Sequence, residues 1–232
     1  MTQGILFDFF GTLVTYSASR VEQGYHATHQ LLRQQGIDIT YTAFLNHWVA
    51  VSETLDQWSR RTGREYSMEQ VATQFLNQVC SSPWPSTLPA QLWMSYVHEW
   101  GAAIRYIPGV LALLQDLSSR LRLGVVTNTH VATLVHRHLR DSGIAPFIEV
   151  VVTSIEHGRP KPHPSIFAAA LDRLGCAASS TLFVGDSYEA DYVGAKMAGM
   201  LALLIDPAGL TSVPAHEVIG SVLDVKTQLS TV

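Results

Sequence analysis

Cysteine is almost missing. The 232-residue chain holds two, Cys80 and Cys176, far apart and outside any metal-ligand spacing. Two such thiols cannot staple a fold, and cysteine usage of this kind reads as a protein of a reducing compartment, so a cytoplasmic location is expected. Charged residues are sparse at 15%, and lysine is the scarcest cation, with only Lys161, Lys196 and Lys226. The formal net charge of −4 argues against a general nucleic-acid binder, which normally carries a basic face. It does not exclude a small anionic substrate, for which one local positive pocket is enough. No apolar run approaches the ~18 residues that span a bilayer, so no membrane partner is expected. The first residues lack a basic stretch ahead of their apolar run, so they read as an early buried strand rather than a signal peptide. The ten histidines are scattered without a His-Glu-x-x-His pattern, which argues against zinc. No repeat or low-complexity segment is present.

What is abundant is apolar sequence, 47% of the chain, enough for a sizeable core. Its patterning changes along the chain. Residues 16–104 read almost wholly as helices, whereas the remainder alternates short apolar runs with helical patterns. The runs at Gly4–Phe9, Leu121–Thr127, Ile148–Thr153, Thr181–Gly185 and Leu201–Ile205, with a weaker one near Glu217–Val222, have the length and composition of buried parallel strands. Helical patterns lie between them at Gly109–Ser119, Val131–Ser142, Ser165–Leu174 and Ala190–Ala198. This alternation predicts a parallel sheet covered by helices on both faces, with ligands bound at the carboxyl ends of the strands.

In the helical stretch, Ser67-Met68-Glu69-Gln70 is a capping-box pattern that opens a helix toward Cys80. Thr42 is positioned to cap another helix reaching about Arg60, and Pro83-Trp84-Pro85 breaks the chain before a third that reaches Trp100. All five tryptophans (Trp48, Trp58, Trp84, Trp93 and Trp100) fall here, where packing among the helices is their expected role. Arg60, Arg61 and Arg64 read as a solvated helix end.

Four polar clusters follow four of the strands. In Phe7-Asp8-Phe9-Phe10-Gly11-Thr12 an apolar strand ends in a carboxylate ahead of a sharp turn. Val126-Thr127-Asn128-Thr129 puts a hydroxyl and a run of backbone N–H groups before a helix start, which suits an anion. In Arg159-Pro160-Lys161-Pro162-His163-Pro164, three prolines stiffen the loop around one of the rare lysines. Gly185-Asp186-Ser187 with Asp191 sets two carboxylates around a strand-to-helix turn, oxygen donors of the kind Mg²⁺ takes.

Together these clusters resemble the four motifs of the haloacid dehalogenase-like hydrolases, in the right order from Asp8 to Ala195. The resemblance implies a Rossmann-like parallel α/β core, residues 1–15 and 105–232, and an all-helical cap domain inserted at 16–104. It implies that Asp8 is the nucleophile, forming a covalent aspartyl intermediate. Thr127 and the Asn128 backbone N–H would hold the transferring group, and Lys161 would neutralise charge on nucleophile and substrate. Mg²⁺ would be held by Asp8, the backbone carbonyl of Phe10 and Asp186, with Asp191 orienting the water around it. The implied partner is a small, anionic substrate, and a monomer or a homodimer fits equally well.

One position departs from the pattern. Most phosphatases of the family have a second aspartate two residues after the nucleophile, as acid and base for the leaving group and then for water. Here it is Phe10, which cannot transfer a proton. An aromatic residue at this spacing resembles the 2-haloacid dehalogenase branch, whose halide leaves without a proton. The fourth motif points the other way, since those dehalogenases carry serine and asparagine where this chain has Asp186 and Tyr188, and need no metal. A Mg²⁺-dependent phosphatase of a small phosphorylated metabolite is therefore the leading expectation. A C–halogen hydrolase, and a catalytically weak member that binds a phosphorylated ligand, remain the alternatives. The candidates to replace the missing acid are Glu189 and His130, near the fourth and second clusters, and a metal-bound water.

Overall fold

The protein is described by a computed structural model, in which residues 2–16 and 24–229 are placed. It divides into two compact units, Met1–Thr15 with Arg105–Val232, and Tyr16–Ile104.

The first unit is built on a six-stranded sheet. Its strands are β1 (Gly4–Phe7), β4 (Arg122–Thr127), β5 (Val150–Thr153), β6 (Thr181–Gly185), β7 (Leu201–Ile205) and β8 (Val218–Ile219). They lie in the order β5-β4-β1-β6-β7-β8, every pair parallel. A short antiparallel ribbon joins β2 (Val14–Thr15) to β3 (Arg105–Tyr106), where the chain leaves this unit and returns to it. β1 is shorter than its apolar run suggests. It ends at Phe7, because Asp8-Phe9-Phe10 already turn: the Phe9 carbonyl accepts from Leu13 and Val14 at 2.9 and 3.1 Å.

β1 is central and buried along its length, as a strand covered on both faces must be. From β1 the sheet first grows through β4 to β5, then resumes on the other side with β6. The order therefore reverses beside β1, and the carboxyl ends of β1, β4 and β6 face one crevice. In the register Leu6 lies beside Gly124 and Phe183, and this face packs with Val126, Ile166, Phe167, Ala170 and Leu174.

The second unit consists of α1 (His26–Gln34), α2 (Tyr41–Thr62), α3 (Met68–Val79) and α4 (Leu88–Gly101). The Ser67–Gln70 capping box is formed in both directions, at 3.2 and 2.8 Å. α2 is capped by Thr40 rather than Thr42. The Thr40 hydroxyl accepts from Ala43 N–H, which places Phe44, Trp48, Val51 and Leu55 on the buried stripe. α1 has no side-chain cap of its own. Its first N–H groups are met from α4, where Glu99 accepts from Ala27 N–H, Thr28 N–H and the Thr28 hydroxyl at 2.8, 2.9 and 2.6 Å. Of the tryptophans only Trp48 is buried, within a cluster of Phe44, Phe75 and Tyr96. The other four are half-buried, since a side chain of that size is rarely enclosed completely in a small helical unit. Arg60, Arg61 and Arg64 are exposed at the C-terminal end of α2.

Helices α5 (Val110–Ser118), α6 (Ala132–Asp141), α7 (Ser154–His157), α8 (Pro164–Leu174), α9 (Gly194–Met197) and α10 (Val225–Leu229) complete the sheet unit. The helical stretch expected at Ala190–Ala198 starts earlier and wider. Tyr188–Val193 forms a π-turn, in which the Ser187 carbonyl accepts from both Asp191 and Tyr192, and only Gly194–Met197 is α-helical. Both cysteines are free and half-buried. Among the described residues, no helix is long and apolar enough to cross a membrane.

Candidate active site

The crevice beside β1 gathers four of the residues singled out by sequence. Asp8 follows β1 directly, its N–H donating to the Val184 carbonyl of β6 at 2.9 Å, so the nucleophile candidate is tied to the neighbouring strand. Lys161 reaches in from the loop between α7 and α8. Its ammonium donates to Asp8 Oδ1 at 2.7 Å and to Asp191 Oδ1 at 2.6 Å, and all three side chains are buried. Burial alone would lower the Lys161 pKa. Asp191 and then Asp8 outweigh it and hold the ammonium above its ordinary value. Asp191 accepts Ser187 N–H at its other oxygen, at 2.9 Å.

Asp186 stands at the mouth of this group. Its residue surface is exposed, but its carboxyl is crowded by protein atoms. That crowding, followed by the negative charges of Asp8 and Asp191, pushes it up to about 7. Asp191 is raised to about 6, chiefly by burial and against the pull of Lys161. Asp8, Asp186 and Asp191 each offer an oxygen within 4.8 Å of the others.

Two glycines make this arrangement possible. Gly11 has φ of +89°, and a β-carbon there would sit 2.1 Å from Asp186 Oδ2. A β-carbon on Gly185 would sit 2.3 Å from Asp191 Oδ2. Side chains at either site would expel a carboxylate.

Thr127 ends β4 with its hydroxyl oxygen buried and without a hydrogen-bond partner among the described residues, an unmet group of the kind an anion's oxygen would satisfy. Asn128 is arranged differently from the sequence expectation, which used only its backbone N–H. Its carboxamide turns to the Lys161 main chain, donating to the carbonyl at 3.0 Å and accepting the N–H at 2.8 Å. Next to it, Ser154 Oγ accepts Thr129 N–H at 2.9 Å and donates to the Thr129 carbonyl at 3.2 Å. The Phe10 ring is half-buried and edge-on to Phe9, with centroids 5.0 Å apart. His130 is half-buried and Glu189 exposed. Sequence reasoning missed the side-chain role of Asn128, the lock made by Ser154 and the space left by Gly11 and Gly185.

The donor set suits Mg²⁺. Three carboxylates converge where one lysine cannot balance them, all are hard oxygen ligands, and the backbone at Gly11 is shaped to admit one of them. The site thus has a buried carboxylate held by a lysine, an unmet hydroxyl at the end of the adjoining strand, and a cluster of hard oxygen donors of the kind a cation needs.

A parallel α/β core with its carboxylate–lysine centre at the strand ends defines the class. The chain belongs to the haloacid dehalogenase-like hydrolase family, whose model matches residues 2–199. It is 26% identical over 212 residues to a ribulose-1,5-bisphosphate 5-phosphatase of Halopiger xanaduensis, covering 90% of this chain and 86% of that one. It is 27% identical over 206 residues to a glyceraldehyde 3-phosphate phosphatase of Methanocaldococcus jannaschii, covering 88% and 85%. Among solved structures, a 2-haloacid dehalogenase from Pseudomonas syringae superposes with a TM-score of 0.76 at 23% identity, over 100% of this chain and 99% of that one. At that identity the likeness establishes the fold alone.

The crowding of carboxylates carries a stability signature. Between the ordinary carboxylate value and about 7, the folded protein keeps a proton on Asp186 that the unfolded chain has lost. The folded state binds more protons in that window, so this group lowers stability as pH rises through it. In metal-free protein near pH 8, Asp186→Asn is therefore expected to stabilise by about 1 kcal/mol, a figure discounted for solvent screening at an exposed site. Near pH 4 the two proteins should melt together. Mg²⁺ added near pH 8 should raise the wild-type midpoint and leave the variant's unmoved. An offset of equal size at both pH values would mean that the carboxylates are not in electrostatic conflict.

Proposed function

We propose that the protein is a Mg²⁺-dependent phosphatase acting on a small, anionic phosphorylated metabolite, with Asp8 as its nucleophile. The observation that carries the reading is the convergence of Asp186 and Asp191 on Asp8 around a single lysine. A carboxylate set beside a carboxylate nucleophile impedes attack on an anion unless a cation lies between them. The two relatives named above, both phosphatases by name, point the same way. We further propose a cytoplasmic location, and that residues 16–104 serve as the family's cap domain, the part that selects the substrate. Monomer and homodimer both fit.

Mg²⁺, held by Asp8, Asp186 and the Phe10 carbonyl with Asp191 orienting its water, would supply charge neutralisation for the transferring phosphoryl oxygens. An Asp8 carboxylate oxygen attacks phosphorus, the bond from phosphorus to the leaving oxygen breaks, and an aspartyl phosphate forms. Lys161 balances Asp8 before attack and the phosphoryl oxygens after it. The Thr127 hydroxyl, unpartnered among the described residues, donates to one of those oxygens without giving up a hydrogen bond to any of them. Water then cleaves the acyl phosphate, releasing inorganic phosphate and restoring Asp8. Phe10 supplies no proton to the leaving oxygen, so a stable leaving anion is favoured. Aryl and acyl phosphates are expected to turn over at least about tenfold faster than alkyl phosphates.

The test is release of phosphate from para-nitrophenyl and acetyl phosphates with Mg²⁺ and with EDTA, beside release of halide from 2-chloropropionate. Mg²⁺-dependent phosphate release is expected. Phe10 is the one observation that favours carbon–halogen hydrolysis, and EDTA-insensitive halide release would establish that reading instead.

A further inference from the structure

The loop that carries Lys161 is exposed to two opposing demands. Its lysine must point inward to a buried position between Asp8 and Asp191. Its neighbours Pro160, Pro162 and Pro164 have no N–H groups with which to tie the loop to the rest of the protein. Of the main-chain groups that remain, the His163 N–H bonds inside the loop, to the Pro160 carbonyl at 3.0 Å, whereas the N–H and C=O of Lys161 are both taken by one side chain, Asn128, 33 positions away at the end of β4.

We propose that Asn128 is a positioning residue for Lys161. Its carboxamide sets the register between the Thr127 loop and the lysine loop, and so aims the ammonium between Asp8 and Asp191. The chemistry of the pairing is selective. An N–H and a C=O on one residue need an acceptor and a donor held in one plane at fixed spacing, which a short carboxamide provides. Aspartate has the shape without the donor, glutamine has both groups one methylene too far out, and alanine has neither. The orientation of the amide is fixed by the same logic, since only its oxygen can meet the Lys161 N–H. The adjoining Ser154–Thr129 exchange seats the other end of the Thr127 loop on the start of α7, so the piece to which Lys161 is fastened is itself held.

This inference rests on the proposed role of Lys161 only for its effect on rate; the positioning is testable without any activity. The chain has three lysines, so amine labelling maps cleanly. Wild-type protein and the variants Asn128→Asp and Asn128→Ala would be treated with succinimidyl acetate, and acetylation at each lysine followed by peptide mass spectrometry. Lys196 and Lys226, both on the surface, serve as internal references. In wild type Lys161 should label far more slowly than either. Losing two hydrogen bonds should raise its relative rate by about tenfold or more in Asn128→Ala, with Asn128→Asp, which keeps the acceptor, between the two. Under the proposed function kcat falls in the same order while KM changes less. If the alanine variant does not fold, the comparison of wild type with Asn128→Asp carries the test. Labelling of Lys161 at the wild-type rate in a folded variant overturns the proposal. Graded labelling in a protein without phosphatase activity would uphold the positioning and overturn the proposed function alone.

Discussion

Asp8→Asn is expected to lower phosphate release by about 10⁴-fold or more while leaving the protein folded. The exchange is isosteric, and its mechanistic content is confined to one property: an amide oxygen is a poor nucleophile, so no covalent intermediate forms. Folding should tolerate it for a reason visible in the site. Lys161 keeps Asp191 as an ionised partner at 2.6 Å, and the amide oxygen at residue 8 can still accept from the ammonium. A buried lysine left with no carboxylate would be costly, but one left with a single partner is not stranded. Removing one of three crowded negative charges also relieves Asp186, which titrates high partly because of Asp8. The two effects oppose each other, and the melting temperature of metal-free protein should move little. The measurement is kcat on para-nitrophenyl phosphate with Mg²⁺, with circular dichroism and a thermal melt on the same sample. Retention of even a few per cent of activity would mean that the reacting carboxylate is elsewhere. A large drop in melting temperature would mean that Asp8 acts chiefly as the counter-ion of Lys161.

The sequence is informative where polar residues stand just after a strand. Short apolar runs closed by polar turns locate the strands of the sheet. The strand-end rule then singles out the clusters that carry Asp8, Thr127, Lys161 and Asp186. It is silent where a contact spans the chain. Asn128 and Lys161 are 33 residues apart, and nothing in Thr-Asn-Thr distinguishes an asparagine that caps a helix from one that fastens a distant loop. The same holds for Glu99, whose carboxylate completes a helix start some seventy residues away. Local ambiguity accounts for other differences. Thr40 and Thr42 both precede a helical apolar pattern, and the choice fell to the one that sets Phe44 and Trp48 inward. The π-turn at Tyr188–Val193 has no periodic signature in six residues. It follows from the need to bring Asp191 back over Gly185 to Lys161 and to Ser187 N–H, a tertiary demand that overrides the ordinary helical turn.

The most informative substitution is Phe10→Asp, which is expected to raise turnover of alkyl phosphates by about 100-fold and of aryl phosphates far less. An acid positioned beside the leaving oxygen contributes about 10² to 10⁴ in rate when the leaving group is a poor anion, and little when it is a good one. Two costs work against the gain. The ring is half-buried against Phe9, so its removal should destabilise by about 1–2 kcal/mol, which a folded domain of this size can absorb. The new carboxyl also enters a region already crowded by Asp8, Asp186 and Asp191, which favours its protonated form. For a group that must first donate a proton, that shift is an advantage rather than a penalty. The ratio of alkyl to aryl turnover therefore reports on chemistry rather than on stability, because loss of folded protein scales both rates alike. A ratio that rises identifies Phe10 as the reason for a leaving-group preference. A ratio that stays fixed while both rates fall would place the ring in the mechanism as an apolar wall. Halide release from 2-chloropropionate that disappears in the same variant would then assign the protein to carbon–halogen chemistry.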